Sequence, residues 1–130
     1  MYRWVEHPAE LELSVQASTE AEVFADGVAA LAELLTEEPA GDTEARFVSL
    51  HATERAVFFA DWLGELVFLA ETEGFVAERL DALDLRRDSL EAGVEGHRGR
   101  PPHLVKAVTY HDLEFERANG AWRAKAVLDV

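Results

Sequence analysis

The chain has 130 residues, 48% of them hydrophobic, which is one domain's worth of sequence with enough apolar surface for a core and too much for a disordered segment. Twenty-six Asp and Glu against twelve Lys and Arg leave a formal charge of −14. Such a surface repels phosphate backbones, so independent nucleic-acid binding is not expected; a basic protein surface or a divalent cation suits it better, while charge alone is accounted for by solubility or a salty cytoplasm. Cysteine is absent, which excludes disulfides, thiolate catalysis and thiolate metal sites.

Met1–Glu6 holds no apolar stretch of signal-peptide length, and the longest apolar runs, Ala56–Ala60 and Leu66–Ala70, are far short of a membrane span. A cytoplasmic protein without a membrane partner is the expectation.

Leu11, Leu13, Val15 and Ala17 alternate with Glu12, Ser14 and Gln16, the period of a half-buried strand. Thr19 and Glu22 have capping-box spacing and open a helix through about Leu35, with Phe24, Val28, Leu31 and Leu35 as its apolar stripe. Thr36–Asp42, with Pro39 and Gly41, has turn chemistry. Arg46–Ala52 reads as a second strand. A second helix begins near Thr53; Phe58, Trp62, Leu66 and Leu69, widened by Phe59, Leu63 and Val67, give it an arc broad enough for deep burial. Gly74 is its expected C-cap.

Strands follow: Phe75–Leu85 and Ser89–Glu95 as a hairpin around Arg86–Asp88, a locally basic loop over Gly96–His103, and a strand from Leu104. Asn119-Gly120 is the dipeptide of a type I′ turn. Centring a hairpin there sets Glu116 opposite Arg123 and Glu114 opposite Lys125, two complementary pairs. The same register puts Leu113 and Phe115 on the core face with Ala124, Ala126 and Leu128. It places His111 on that face as a structural histidine, and Asp129 opposite Tyr110 on the other. The expected architecture is α+β and two-layered, with two helices on one face of a mostly antiparallel sheet of five or more strands. One domain is expected over 1–130.

Three segments carry the most specific signal: Glu6-His7-Pro8-Ala9-Glu10, Leu104–Leu113, and Trp122–Val130, a strand with an acid next to last. With Asp61–Phe75 between them in order, they resemble the archease family, small activators of RtcB-type RNA-splicing ligases. The resemblance covers nearly the whole chain. It implies a non-enzymatic activator that promotes guanylylation of such a ligase, and its repeated turnover, in tRNA splicing and RNA repair. The family's N-terminal segment reads Asp-His-Thr-Ala-Asp, and its acids join the C-terminal Asp in a metal-binding cluster. Here His7 and Ala9 match, Pro8 replaces Thr, and Glu6 and Glu10 stand where the family has Asp. The implied metal ligands are Glu10, Asp129, Glu6 and the terminal carboxylate of Val130. Each Glu moves its carboxylate out by about 1.5 Å, one carbon–carbon bond, which the loose oxygen shell of calcium tolerates better than the strict octahedron of magnesium. Calcium is therefore the expected cation. His7 and Lys106 are the candidate partner contacts.

Other chemistry fails on inspection. Gly93-x-x-Gly96-x-x-Gly99 lacks the Lys-Ser/Thr of a phosphate loop, no serine sits in a nucleophile elbow, and the histidines do not form a zinc-protease motif. Two other readings stay open: a small divalent-metal-dependent hydrolase using Glu6, His7, Glu10 and Asp129, and a general chaperone-like interaction module.

Overall fold

The computed structural model of the chain describes residues 1–36, 40–99 and 105–130. Its elements in chain order are β1 (Tyr2–His7), β2 (Glu10–Ala17), α1 (Glu20–Leu35), β3 (Ala40–His51), α2 (Arg55–Glu73), β4 (Phe75–Leu85), β5 (Ser89–Arg98), β6 (Ala107–Ala118) and β7 (Ala121–Asp129).

Local sequence explains the helix ends. The Thr19 hydroxyl accepts the Glu22 N–H at 3.1 Å, and the Glu22 carboxylate accepts the Ser18 N–H at 3.3 Å. The box therefore closes one residue further out than its usual form, still covering donors that the first turn leaves open. Gly74 ends α2 with φ of 67°, a left-handed cap that glycine adopts without Cβ strain. The expected apolar stripes are buried, and the Trp62 indole N–H donates to the Phe24 carbonyl at 3.0 Å, joining the two helices inside the core.

The architecture is the expected α+β, with its strands divided into two antiparallel sheets ordered β1-β2-β7-β6 and β3-β5-β4. Each sheet turns one face to the helices. Leu13, Val15, Ala124, Ala126 and Leu128 from the first sheet, and Val48, Leu90, Ala92 and Val94 from the second, belong to the same buried cluster as Phe24, Phe59 and Trp62.

Several boundaries differ from the sequence reading. Tyr2–His7, which carries no clear strand signal alone, is recruited as an edge strand by pairing with β2. Strand β3 begins at Ala40 rather than Arg46, and β5 runs on through Gly96, His97 and Arg98, which read as loop. In each case pairing with a neighbour extends the strand into residues of weak strand propensity. Glu37–Pro39 of the expected turn, and Arg100–Leu104 of the expected basic loop and strand start, lie outside the described residues.

The Asn119-Gly120 hairpin forms as expected, with φ of 53° and 78° as a type I′ turn requires. Glu116 pairs with Arg123 and Glu114 with Lys125. The Lys125 ammonium lies 3.7 Å from both Glu114 and Glu12, bridging two strands. Beyond Glu114 the register changes. Residues 110–113 stand against Ala126 alone, in a bulge where Asp112 takes a φ of 55°. Asp129 is consequently opposite Ala107, not Tyr110. His111, within this bulge, has its side chain 73% exposed and 3.1 Å from Asp112, so it is not the core-facing histidine of the sequence reading. A bulge adds residues without changing the hydrophobic alternation on the partner strand, which is why the pattern alone did not reveal it.

Candidate functional site

The two ends of the chain meet in the first sheet. Strands β2 and β7 are neighbours, and Glu10 stands directly opposite Asp129, although 119 positions separate them. Directly paired residues project from the same face, with Cβ atoms about 4.5–5.5 Å apart. Alternation from Leu128 and Leu11, which face the core, turns both acids to the outer face. The same row continues to His7 on β1 and Ala107 on β6.

Main-chain bonds hold this row together. The Val130 N–H donates to the Ala9 carbonyl at 3.2 Å, and the Lys106 N–H donates to the Asp129 carbonyl at 2.7 Å. Ala9, in the turn between β1 and β2, has a φ of 61°. After a proline, a positive φ is the pattern of a type II turn, a position that favours glycine or asparagine. The left-handed conformation of Ala9 is thus a local cost beside the acid pair, held by the strands on either side.

The expected ligands are not all brought together. Glu10 and Asp129 are half-buried neighbours, and Val130 is tied to the Ala9 turn beside them. Glu6 pairs with Leu11, so it projects from the opposite face to Glu10. His7 is exposed and opposite Glu10; Lys106 is exposed, one position before β6. Among the described residues no group of three or more His, Asp or Glu is arranged to hold a metal ion. Two carboxylates offer at most four oxygens, fewer than the six to eight of a calcium shell. The described side chains therefore do not complete a calcium shell by themselves.

Further along the same outer face, Arg3, Ser14, Gln16, Arg123 and Lys125 line a shallow depression. Its charge is balanced, because Lys125 is shared between Glu12 and Glu114, and Glu116 is the register partner of Arg123.

Among the polar contacts that were invisible in the sequence, one ties the β6 bulge to a helix. The Tyr110 hydroxyl donates to the Asp61 carboxylate, tying the β6 bulge to α2. By sequence alone Asp61 and Glu65 are like charges four residues apart on one helix, a spacing that suits a solvated acidic face; the tertiary fold gives Asp61 a partner. Its carboxylate pushes the Tyr110 pKa up, first through the hydrogen bond and then through burial and charge. A phenol whose folded pKa is raised contributes stability that is whole below the ordinary tyrosine value of about 10 and is lost as pH rises through the folded value. Tyrosine absorbance titration should therefore show a phenol ionising later than free tyrosine. Asp61→Asn should bring Tyr110 back towards the ordinary value. An unchanged titration curve would remove this contact.

Comparison with known proteins adds a second line. Residues 2–130 match the model of the archease protein family. The chain is a member of that family. It is 31% identical to the archease of Methanosarcina mazei over 140 aligned positions, covering 99% of this chain and 95% of that protein. It is also 31% identical to the archease of Methanothermobacter thermautotrophicus, covering 84% of each. Among solved structures, protein 1598 of Methanobacterium thermoautotrophicum superposes with a TM-score of 0.69 at 25% identity, covering 99% of this chain and 98% of that one. A Thermotoga maritima archease, described as a possible chaperone, superposes with a TM-score of 0.70 at 22% identity, covering 100% and 98%. The latter likeness speaks to fold alone. No helix among the described residues is long and apolar enough to cross a membrane, which leaves β-barrel spans unaddressed.

Proposed function

We propose that this archease is a non-enzymatic activator of an RtcB-type RNA ligase, promoting the ligase's guanylylation and repeated turnover in tRNA splicing and RNA repair. The observation that supports this reading best is the juxtaposition of Glu10 and Asp129, acids from the two ends of the chain, on adjacent strands of one outer face. Two like charges directly opposite are a local cost to the sheet, so folding alone gives no reason to pair them.

In this reading Glu10 and Asp129 would hold part of the shell of a divalent cation, calcium in the first instance. When bound, such a cation would supply positive charge where a nucleotide phosphate accumulates negative charge. The chain's own residues contribute position: β2 and β7 fix the two carboxylates, and the Ala9–Val130 bond fixes the turn beside them. Preorganised charge of this kind favours the conformation competent for nucleotide transfer without reorganisation at the moment of reaction. His7, beside Glu10 and exposed, and Lys106, beside Asp129, are the contacts offered to the ligase.

The hydrolase reading, which uses Glu6, His7, Glu10 and Asp129, is less well supported, because Glu6 projects from the opposite face to Glu10. A chaperone-like role draws on the description of the Thermotoga maritima protein alone. Guanylylation separates these readings. Substoichiometric protein should raise the rate and extent of GTP-dependent guanylylation of its cognate ligase in the presence of a divalent metal. The absence of stimulation by folded protein across metal and nucleotide conditions would sink the activator reading. Phosphatase or nuclease turnover that survives rigorous purification would favour the hydrolase.

A further inference from the structure

The second sheet carries a surface that the acid row does not explain. Phe47, on edge strand β3, is 69% exposed. Its neighbours on the same side of β3 are Ala45 and Ser49, and directly across on β5 is Gly93, which is followed on β4 by Ala82. A lone exposed aromatic is ordinary, and an aromatic opposite a strand glycine commonly lies over that glycine and shields its backbone. The second explanation makes a prediction that fails here. A Cβ built on Gly93 meets nothing within 4 Å, so the Phe47 ring does not cover it.

Gly93 therefore has no reason internal to the fold. It is in the middle of a central strand, where glycine is a poor choice compared with alanine, and no packing partner demands its small size. Gly96, three residues on, is the opposite case: its Cβ would collide with the Val76 backbone. A strand glycine without an internal cause marks a place where something from outside approaches the backbone. Two register shifts on β4, between Ala77 and Arg79 and between Leu80 and Ala82, lie on one side of the same spot, the nearer directly beside it, and bulges gather at such sites. The next row on one side holds Glu91 and Asp84, both exposed, with the Asp84 carboxylate 3.3 Å from the Arg86 guanidinium.

We infer that this outer face, centred on Phe47 and Gly93, is a docking surface for a partner protein that presents an apolar side chain beside Lys or Arg. The apolar group lies on the bare Gly93 backbone against the Phe47 ring, and the cation meets Glu91. The net charge of −14 selects a basic partner over an acidic or polyanionic one. This deepens the activator reading and rests on it: the partner is the ligase.

The test measures affinity for the cognate ligase, together with the melting temperature of each variant. Phe47→Ala should weaken binding at least tenfold and leave Tm unchanged, since the ring supports little of the fold. Gly93→Val should weaken binding comparably while Tm stays level or rises, a combination that a merely structural role would not give. Glu91→Lys should weaken binding and reduce its dependence on salt, because an attractive charge pair has been lost. If the wild-type protein binds and activates the ligase while the Phe47 and Gly93 variants bind within twofold of it, the docking face is overturned and the activator reading stands. If the wild type neither binds nor activates, both fall. If Phe47→Ala instead abolishes self-association seen by sedimentation, with ligase affinity untouched, the face belongs to a second copy of this chain and the inference is overturned.

Discussion

Glu10→Gln and Asp129→Asn should each preserve the fold and lower ligase guanylylation about tenfold or more, the scale on which groups supporting a metal centre act. The two substitutions remove charge while keeping volume, and both positions are in paired strand backbone that does not depend on the side chain. Opposed like charges cost a sheet up to about 1 kcal/mol, so the neutralised variants should melt at or slightly above the wild-type temperature. Loss of activation with retained or raised Tm is the signature that separates a working acid pair from a structural one. Asp88→Asn, in the β4–β5 turn, is the exposed control and should activate normally. Glu10→Asp probes reach: with the register fixed, the carboxylate withdraws by about 1.5 Å and matches the acid that the family resemblance places there. It should retain or improve divalent-cation binding measured by calorimetry. Full activation by both neutralised variants would end the case for this row.

Gly96→Ala should be the most damaging single methyl in the second sheet. The added carbon would lie 1.9 Å from the Val76 carbonyl oxygen and 2.9 Å from the Ala77 Cα. Both are backbone atoms, so no rotamer change relieves the clash; β4 and β5 must part where Ala77 pairs with Gly96. Overpacking of this kind costs about 3 kcal/mol, or a fall of about 10 °C in Tm for a domain of this size. Gly93→Ala on the same strand is the matched control, because its methyl enters open space, and it should melt no lower than wild type. Equal losses at the two positions, or none at Gly96, would contradict the strand packing described for β4 and β5.

Much of the fold was legible because it follows from short-range rules. The Thr19–Glu22 spacing, the stripe from Phe24 to Leu35, the broad arc of α2 and the left-handed cap at Gly74 are all decided within a few residues. The Asn119-Gly120 turn set the register of the last hairpin correctly for as far as a turn can control it, through Glu114 and Lys125. The same extrapolation failed at the next step, because residues 110–113 loop out and return three positions displaced. The placement of Asp129 away from the core survived this error for a simple reason: it depended on alternation along β7, not on which residue faced it across the ladder.

The amino-acid sequence by itself determined the acidic character of the protein, its two amphipathic helices, the turn before its last strand and the family pattern near its two ends. These depend on composition, periodicity and backbone preference, which each residue carries wherever it is placed. Only the tertiary structure decided that strands split into two sheets, that Glu10 faces Asp129 while Glu6 projects from the other side, and that Tyr110 reaches Asp61. It alone showed that Gly93 is bare while Gly96 is crowded. Those outcomes depend on which strands become neighbours and in what register, a choice made by burying the whole apolar surface at once, and one residue of register moves a side chain to the opposite face.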